Sequence, residues 1–67
     1  MNSEYITIDP EICSGTPVFK GTRVFIATLF DYLESGDSIS QFLDDFPTVH
    51  KDQVEGVLEA AKLAVVA

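Results

Sequence analysis

The sequence predicts a mainly α fold: a short N-terminal β-strand and an ordered loop, followed by a three-helix bundle, in a single domain over residues 1–67. Three observations predict it. Tyr5-Ile6-Thr7-Ile8 is a run of β-favouring residues closed by Asp9-Pro10. From Ile12 to Arg23 no periodicity is sustained, and Gly15, Pro17 and Gly21 punctuate the stretch. From Phe25 onward the apolar residues recur at helical spacing in three blocks, each with its own start or stop signal.

The strand, residues 5–8, places Ile6 and Ile8 on one face. A lone strand needs a mate. Val18-Phe19 can supply it within the chain, and a second copy or a partner's sheet edge can supply it between chains. The signature loop, residues 9–24, is expected to be ordered, because Ile12, Val18 and Phe19 can pin it to the core; Cys13, Gly15, Pro17 and Gly21 are its structural residues. The first helix reads from Phe25 to about Ser35, with Ile26, Leu29, Phe30 and Leu33 in one stripe and Gly36 as its left-handed stop. Ser38-Ile39-Ser40-Gln41 is a capping-box pattern that opens a second helix over 39–45, which buries Ile39, Phe42, Leu43 and Phe46 and ends at Pro47. The third helix reads over 51–65, with Val54, Val57, Leu58, Ala61 and Val65 on its apolar face. Val49 and Val54 form a hydrophobic staple if His50 is the N-cap. The short connection over 47–50 is the spacing of a helix-turn-helix, and equally of any compact three-helix bundle.

A chain of 67 residues buries only about 60% of the surface it exposes when unfolded. One cysteine excludes an internal disulfide, and one histidine with one cysteine makes no zinc site, so no metal or cofactor is expected. Partner burial remains as the source of extra stability, which points to a homodimer, a complex with another protein, or both. The lone thiol, the absence of a signal-peptide pattern at Met1-Asn2-Ser3-Glu4 and the lack of a membrane-length apolar run point to the cytoplasm. The net charge of −7, from eleven acidic against four basic residues, offers little to nucleic acid unless the cations sit together. Lys20 and Arg23 do so.

Gly15-Thr16-Pro17-Val18-Phe19-Lys20-Gly21-Thr22 superficially resembles a phosphate loop, but the order Lys20-Gly21-Thr22 is wrong and Pro17 lacks an amide. Cys13 as a nucleophile needs a base, and His50 is the one imidazole; a partly buried structural thiol is the plainer reading. Asp44-Asp45 point in different directions, and Asp52, Glu55 and Glu59 read as a solvated helix face. The chain is therefore expected not to be an enzyme by itself. Lys20 and Arg23, flanking Gly21-Thr22 on a stiff loop, present an ammonium and a guanidinium together, suited to a DNA phosphate or a carboxylate on a protein partner. In a recognition helix starting near His50, Lys51 and Gln53 can read bases, while Asp52 and Glu55 repel phosphate.

The stretch Ile8-Asp9-Pro10-Glu11-Ile12-Cys13-Ser14-Gly15-Thr16-Pro17-Val18-Phe19-Lys20-Gly21-Thr22-Arg23-Val24 resembles the signature of domain-of-unknown-function family 433. Gly36-Asp37-Ser38-Ile39, Asp45-Phe46-Pro47 and the spine Val54, Leu58, Ala61 extend the likeness over residues 5–64. The resemblance implies a VapB-type, antitoxin-like protein with a homeodomain-like or winged-helix-like core. It further implies a PIN-like ribonuclease toxin as the partner to be neutralised, and binding to operator DNA as an accompanying function. Lys20-Gly21-Thr22-Arg23 is the quartet it marks as the contact loop. Two positions depart from the pattern: His50 stands where Ser or Thr is usual, and Phe25 where Pro is frequent.

Overall fold

The structure, a computed structural model, describes residues 4–66. Two short strands, β1 (Ile6–Thr7) and β2 (Val18–Phe19), precede three helices, α1 (Ile26–Glu34), α2 (Ile39–Asp45) and α3 (Lys51–Val66). The chain is mainly α with a small N-terminal sheet, as its periodicity predicts.

β1 is shorter than the expected strand over 5–8, because the chain turns sharply at its end. Asp9 Oδ1 accepts from Glu11 N at 2.9 Å, and the Asp9 carbonyl accepts from Ile12 N at 2.9 Å. This side-chain-mediated turn folds the backbone away from strand geometry. The mate of β1 lies within the chain: Ile6 opposes Phe19 and Thr7 opposes Val18, antiparallel.

The stretch expected as loop over 9–24 holds more structure than its lack of periodicity implies. One tight turn runs over Cys13–Gly15 with all three residues at positive φ (51°, 56° and 84°). Two of these are not glycine, a conformation that costs an L-residue about 1–2 kcal/mol. After it, β2 is flanked on both edges. β1 holds one edge, and on the other Val18 bridges Phe25 while Phe19 N donates to the Val24 carbonyl at 3.0 Å. Val18 and Phe19 point to opposite faces, and both are buried. A two-residue strand buried on both sides shows no alternation for a sequence pattern to reveal.

α1 buries Leu29 and packs Ile26, Phe30 and Leu33 against the core. Phe25 and Ser35, expected inside this helix, are its flanking caps. Gly36, at φ 84°, allows the chain to exit: Gly36 N donates to the Leu33 carbonyl at 3.1 Å and Asp37 N to the Tyr32 carbonyl at 2.9 Å, the double bond of a Schellman close. At α2, Ser38 Oγ accepts from Gln41 N at 3.0 Å, one half of the expected capping box. Gln41 does not complete it; its Nε2 donates to Asp45 Oδ1 at 2.9 Å, along the helix instead of back to its start.

The core gathers Phe19, Leu29, Phe42, Val49, Val54 and Val57. Phe42 lies at its centre. Its ring is 5.9 Å from Phe19, 5.3 Å from an edge-on Tyr32 and 5.1 Å from Phe46. Val49 and Val54 are both buried in this cluster, as the staple requires. Val65 corrects the expected face of the last helix: it is 83% exposed, and Val66 and Leu63 are 68% and 52% exposed. Helical period continues to the end of α3, but the buried residues Val54 and Val57 lie in its first half. Among the described residues, none covers the last turns.

Candidate functional site

The hairpin that follows β2 is held by hydrogen bonds from within and from outside the turn. Thr22 N donates to the Phe19 carbonyl at 3.0 Å, closing a four-residue turn with Gly21 at φ 80° in its third position. That conformation is one a type II turn demands and a side chain resists. The Thr22 hydroxyl locks it from inside, donating to the Phe19 carbonyl at 2.8 Å and accepting from Val24 N at 3.0 Å. The tip is fastened from outside as well. Lys20 N donates to the Tyr5 carbonyl at 2.9 Å, and Gln53 Nε2 of α3 donates to the Lys20 carbonyl at 3.0 Å. Lys20, Gly21 and Arg23 are exposed and Thr22 is half-buried. A shallow hollow of about 310 Å³ lies beside them, lined by Thr7, Ile12, Gly21, Thr22 and Arg23.

The loop cations and the first residues of the third helix, far apart along the chain, thus meet in space. Gln53 stitches the two: its Oε1 accepts from His50 N at 2.9 Å while its amide holds Lys20. Lys51, the first residue of α3, is exposed. The His50 carbonyl accepts from Gln53 N at 3.0 Å and Val54 N at 3.3 Å, so the third helix does start there. Two of the chain's four basic residues, Lys20 and Arg23, therefore stand on one hairpin tip that α3 holds through Gln53. Of the contact candidates, Thr22 and Gln53 have their polar atoms committed to holding the tip, and Lys20, Arg23 and Lys51 carry charge to the surface. Cys13 is a partly buried free thiol in the Cys13–Gly15 turn. Pro17 helps to anchor the same hairpin, its carbonyl accepting from Ile26 N at 3.0 Å.

Among the described residues no group of three or more His, Cys, Asp or Glu side chains is placed to hold a metal ion. No helix among them is long and apolar enough to cross a membrane. Among the described residues, Tyr32 carries an acid–base group displaced from its ordinary value. Its hydroxyl donates to Asp45 Oδ2 at 2.5 Å, and that hydrogen bond, then desolvation, then the charges of Asp45 and Asp37 hold its pKa above 10.0.

A further surface brings the acidic helix face of Asp52, Glu55 and Glu59 beside the N-terminal strand residues Tyr5 and Ile6, a pairing that the sequence does not show. Tyr5 packs its ring against α3 at Gly56, where any Cβ would collide with it. An open groove of about 670 Å³ runs beside this contact. The signal in the sequence for the Tyr5 contact is a glycine in the middle of a helical pattern, which costs stability unless something must approach the backbone.

The profile of a family described as "Protein of unknown function (DUF433)" matches residues 6–60. The chain is also similar to the "Uncharacterized protein y4eO" of Sinorhizobium fredii (strain NBRC 101917 / NGR234), with 31% identity over 51 residues. That match covers 76% of this chain and 23% of the relative, so the chain spans about a quarter of that protein's length. No solved structure matches the chain.

Proposed function

This chain belongs to the DUF433 family, and on that footing we propose that it is a binding protein and not an enzyme, antitoxin-like, that occupies and neutralises a PIN-like ribonuclease. The observation that supports this is the hairpin tip. It presents an ammonium and a guanidinium on a turn fixed by hydrogen bonds from the turn itself, from the backbone of Tyr5 and from α3. Such a device costs little entropy on binding, because its geometry is set beforehand. Aimed at the acidic metal site of a nuclease, Lys20 or Arg23 blocks it by charge and volume, without chemistry. The acidic remainder of the surface competes with RNA for the basic groove of the same enzyme.

The test is co-expression with the product of the adjacent gene. The two proteins are expected to co-purify, and the neighbour alone to be toxic. Lys20→Ala/Arg23→Ala is expected to weaken the complex by about ten-fold or more. Failure to co-purify with a neighbour that is harmless alone removes the reading.

A second reading is a dimeric helix-turn-helix regulator, and the placing of Lys20 and Arg23 together on the hairpin tip of an acidic chain favours it. It requires binding to DNA upstream of its own gene with steep salt dependence. The double variant separates the two: loss of DNA binding with the protein complex intact assigns the cations to DNA.

A further inference from the structure

We infer that the groove along α3 is a docking site for a basic amphipathic helix of a protein partner. The groove lies on a face other than the hairpin tip, since none of Lys20 to Arg23 lines it. The inference does not depend on the partner being a nuclease.

Its apolar floor and wall come from Tyr5, Ile6, Gly56, Val57, Ala60 and Leu63. The absence of a side chain at Gly56 makes the wall possible, because it lets the Tyr5 ring rest on the helix backbone. Asp52, Glu55, Gly56, Glu59, Ala60 and Leu63 of the lining follow one stripe of α3, a length of roughly 16 Å at 1.5 Å per residue. That accommodates about three turns of a second helix. Leu63, 52% exposed, extends the apolar surface toward the overhanging end of α3.

The rim decides the partner. Glu4, Asp52, Glu55 and Glu59 border the groove, and no lysine or arginine lines it. Four carboxylates around an apolar strip disfavour an acidic or neutral occupant and attract a cationic one. A second copy of this chain carries the same charge of −7 and is repelled by that rim. A helix with leucines on one face and lysines on its flanks meets both requirements: its apolar stripe enters the groove and its ammonium groups reach the four carboxylates.

The probe is a synthetic peptide of about three turns with leucine at i, i+3, i+4 and i+7 and lysine elsewhere, titrated into the full chain by fluorescence anisotropy. Saturable binding is expected, weakening as salt is raised. A peptide of the same composition with its apolar face scrambled is expected to bind at least about ten-fold more weakly. Glu55→Lys/Glu59→Lys, both at exposed positions, and separately Leu63→Ser, are each expected to lose about ten-fold. Lys20→Ala/Arg23→Ala is expected to leave the affinity unchanged. Equal binding of the scrambled peptide, or unchanged affinity in the charge-reversed variant, overturns the inference. Concentration-dependent sedimentation of the chain alone, abolished by Leu63→Ser, gives the groove to a second copy and overturns it as well.

Discussion

At the scale of single residues, polar atoms in this chain are committed in pairs. Gln53 satisfies a helix start with its carbonyl oxygen and a hairpin tip with its amide nitrogen. Asp45 accepts from Tyr32 and from Gln41 on its two oxygens. The Tyr32 bond has a consequence that pH reads. A phenol whose pKa is raised on folding is protonated more tightly in the native state. Its contribution is complete below the unfolded value near 10.0 and is lost as pH rises through the higher native value. Denaturant unfolding on either side of pH 10.0 is therefore expected to show a fall in stability with alkalinity that is smaller in Tyr32→Phe. An identical fall in the variant would assign it to other groups. Neither the Tyr32–Asp45 pairing nor the Gln53–Lys20 bond is legible in the sequence. The first joins residues 13 apart and the second residues 33 apart, and no local rule links them.

At the scale of elements, the caps are legible in the sequence and the sheet only in part. Ser38 and Gly36 act through backbone groups three to five residues away, which a sequence window contains. The central place of β2, by contrast, depends on β1 and residues 24–25 closing on it from two sides. α3 offers the sharpest test. Glycine in a helix interior costs about 1 kcal/mol relative to alanine, so Gly56→Ala on propensity alone is stabilising. Here the new methyl meets the Tyr5 ring. Gly56→Ala is expected to destabilise the native chain, and to stabilise a Tyr5→Ala background by about 1 kcal/mol. A double-mutant cycle by chemical denaturation measures this; additive effects would show that Tyr5 does not hold the helix.

At the scale of the whole molecule, the chain is less compact than its size suggests. Its radius of gyration is 11.7 Å, against about 10.9 Å from the usual scaling with length. The exposed end of α3 accounts for the direction of that difference. Residues 62–66 are all exposed, so they contribute little to holding the domain together. Truncation after residue 61 is expected to change unfolding free energy by about 0.5 kcal/mol or less, and to reduce binding of the amphipathic peptide through loss of Leu63. A large loss of stability on truncation would show that the overhang is part of the fold. The family match ends at residue 60, close to where burial ends.

What the sequence determined by itself is what local periodicity and capping encode: three helices, their order, their bounds to within one residue, and a signature between Cys13 and Arg23 specific enough to identify the family. The apolar face of α3 was legible only as far as the core reaches, because period records which residues align and not how far the neighbours extend. Tertiary structure alone decided that the unperiodic stretch contains a buried strand, that Gln53 ties the start of α3 to the Lys20 backbone, and that Gly56 receives Tyr5. Each of these joins segments distant in the chain. Contacts of that kind follow from how the elements close on one another, a matter of three-dimensional packing that no window of neighbouring residues contains.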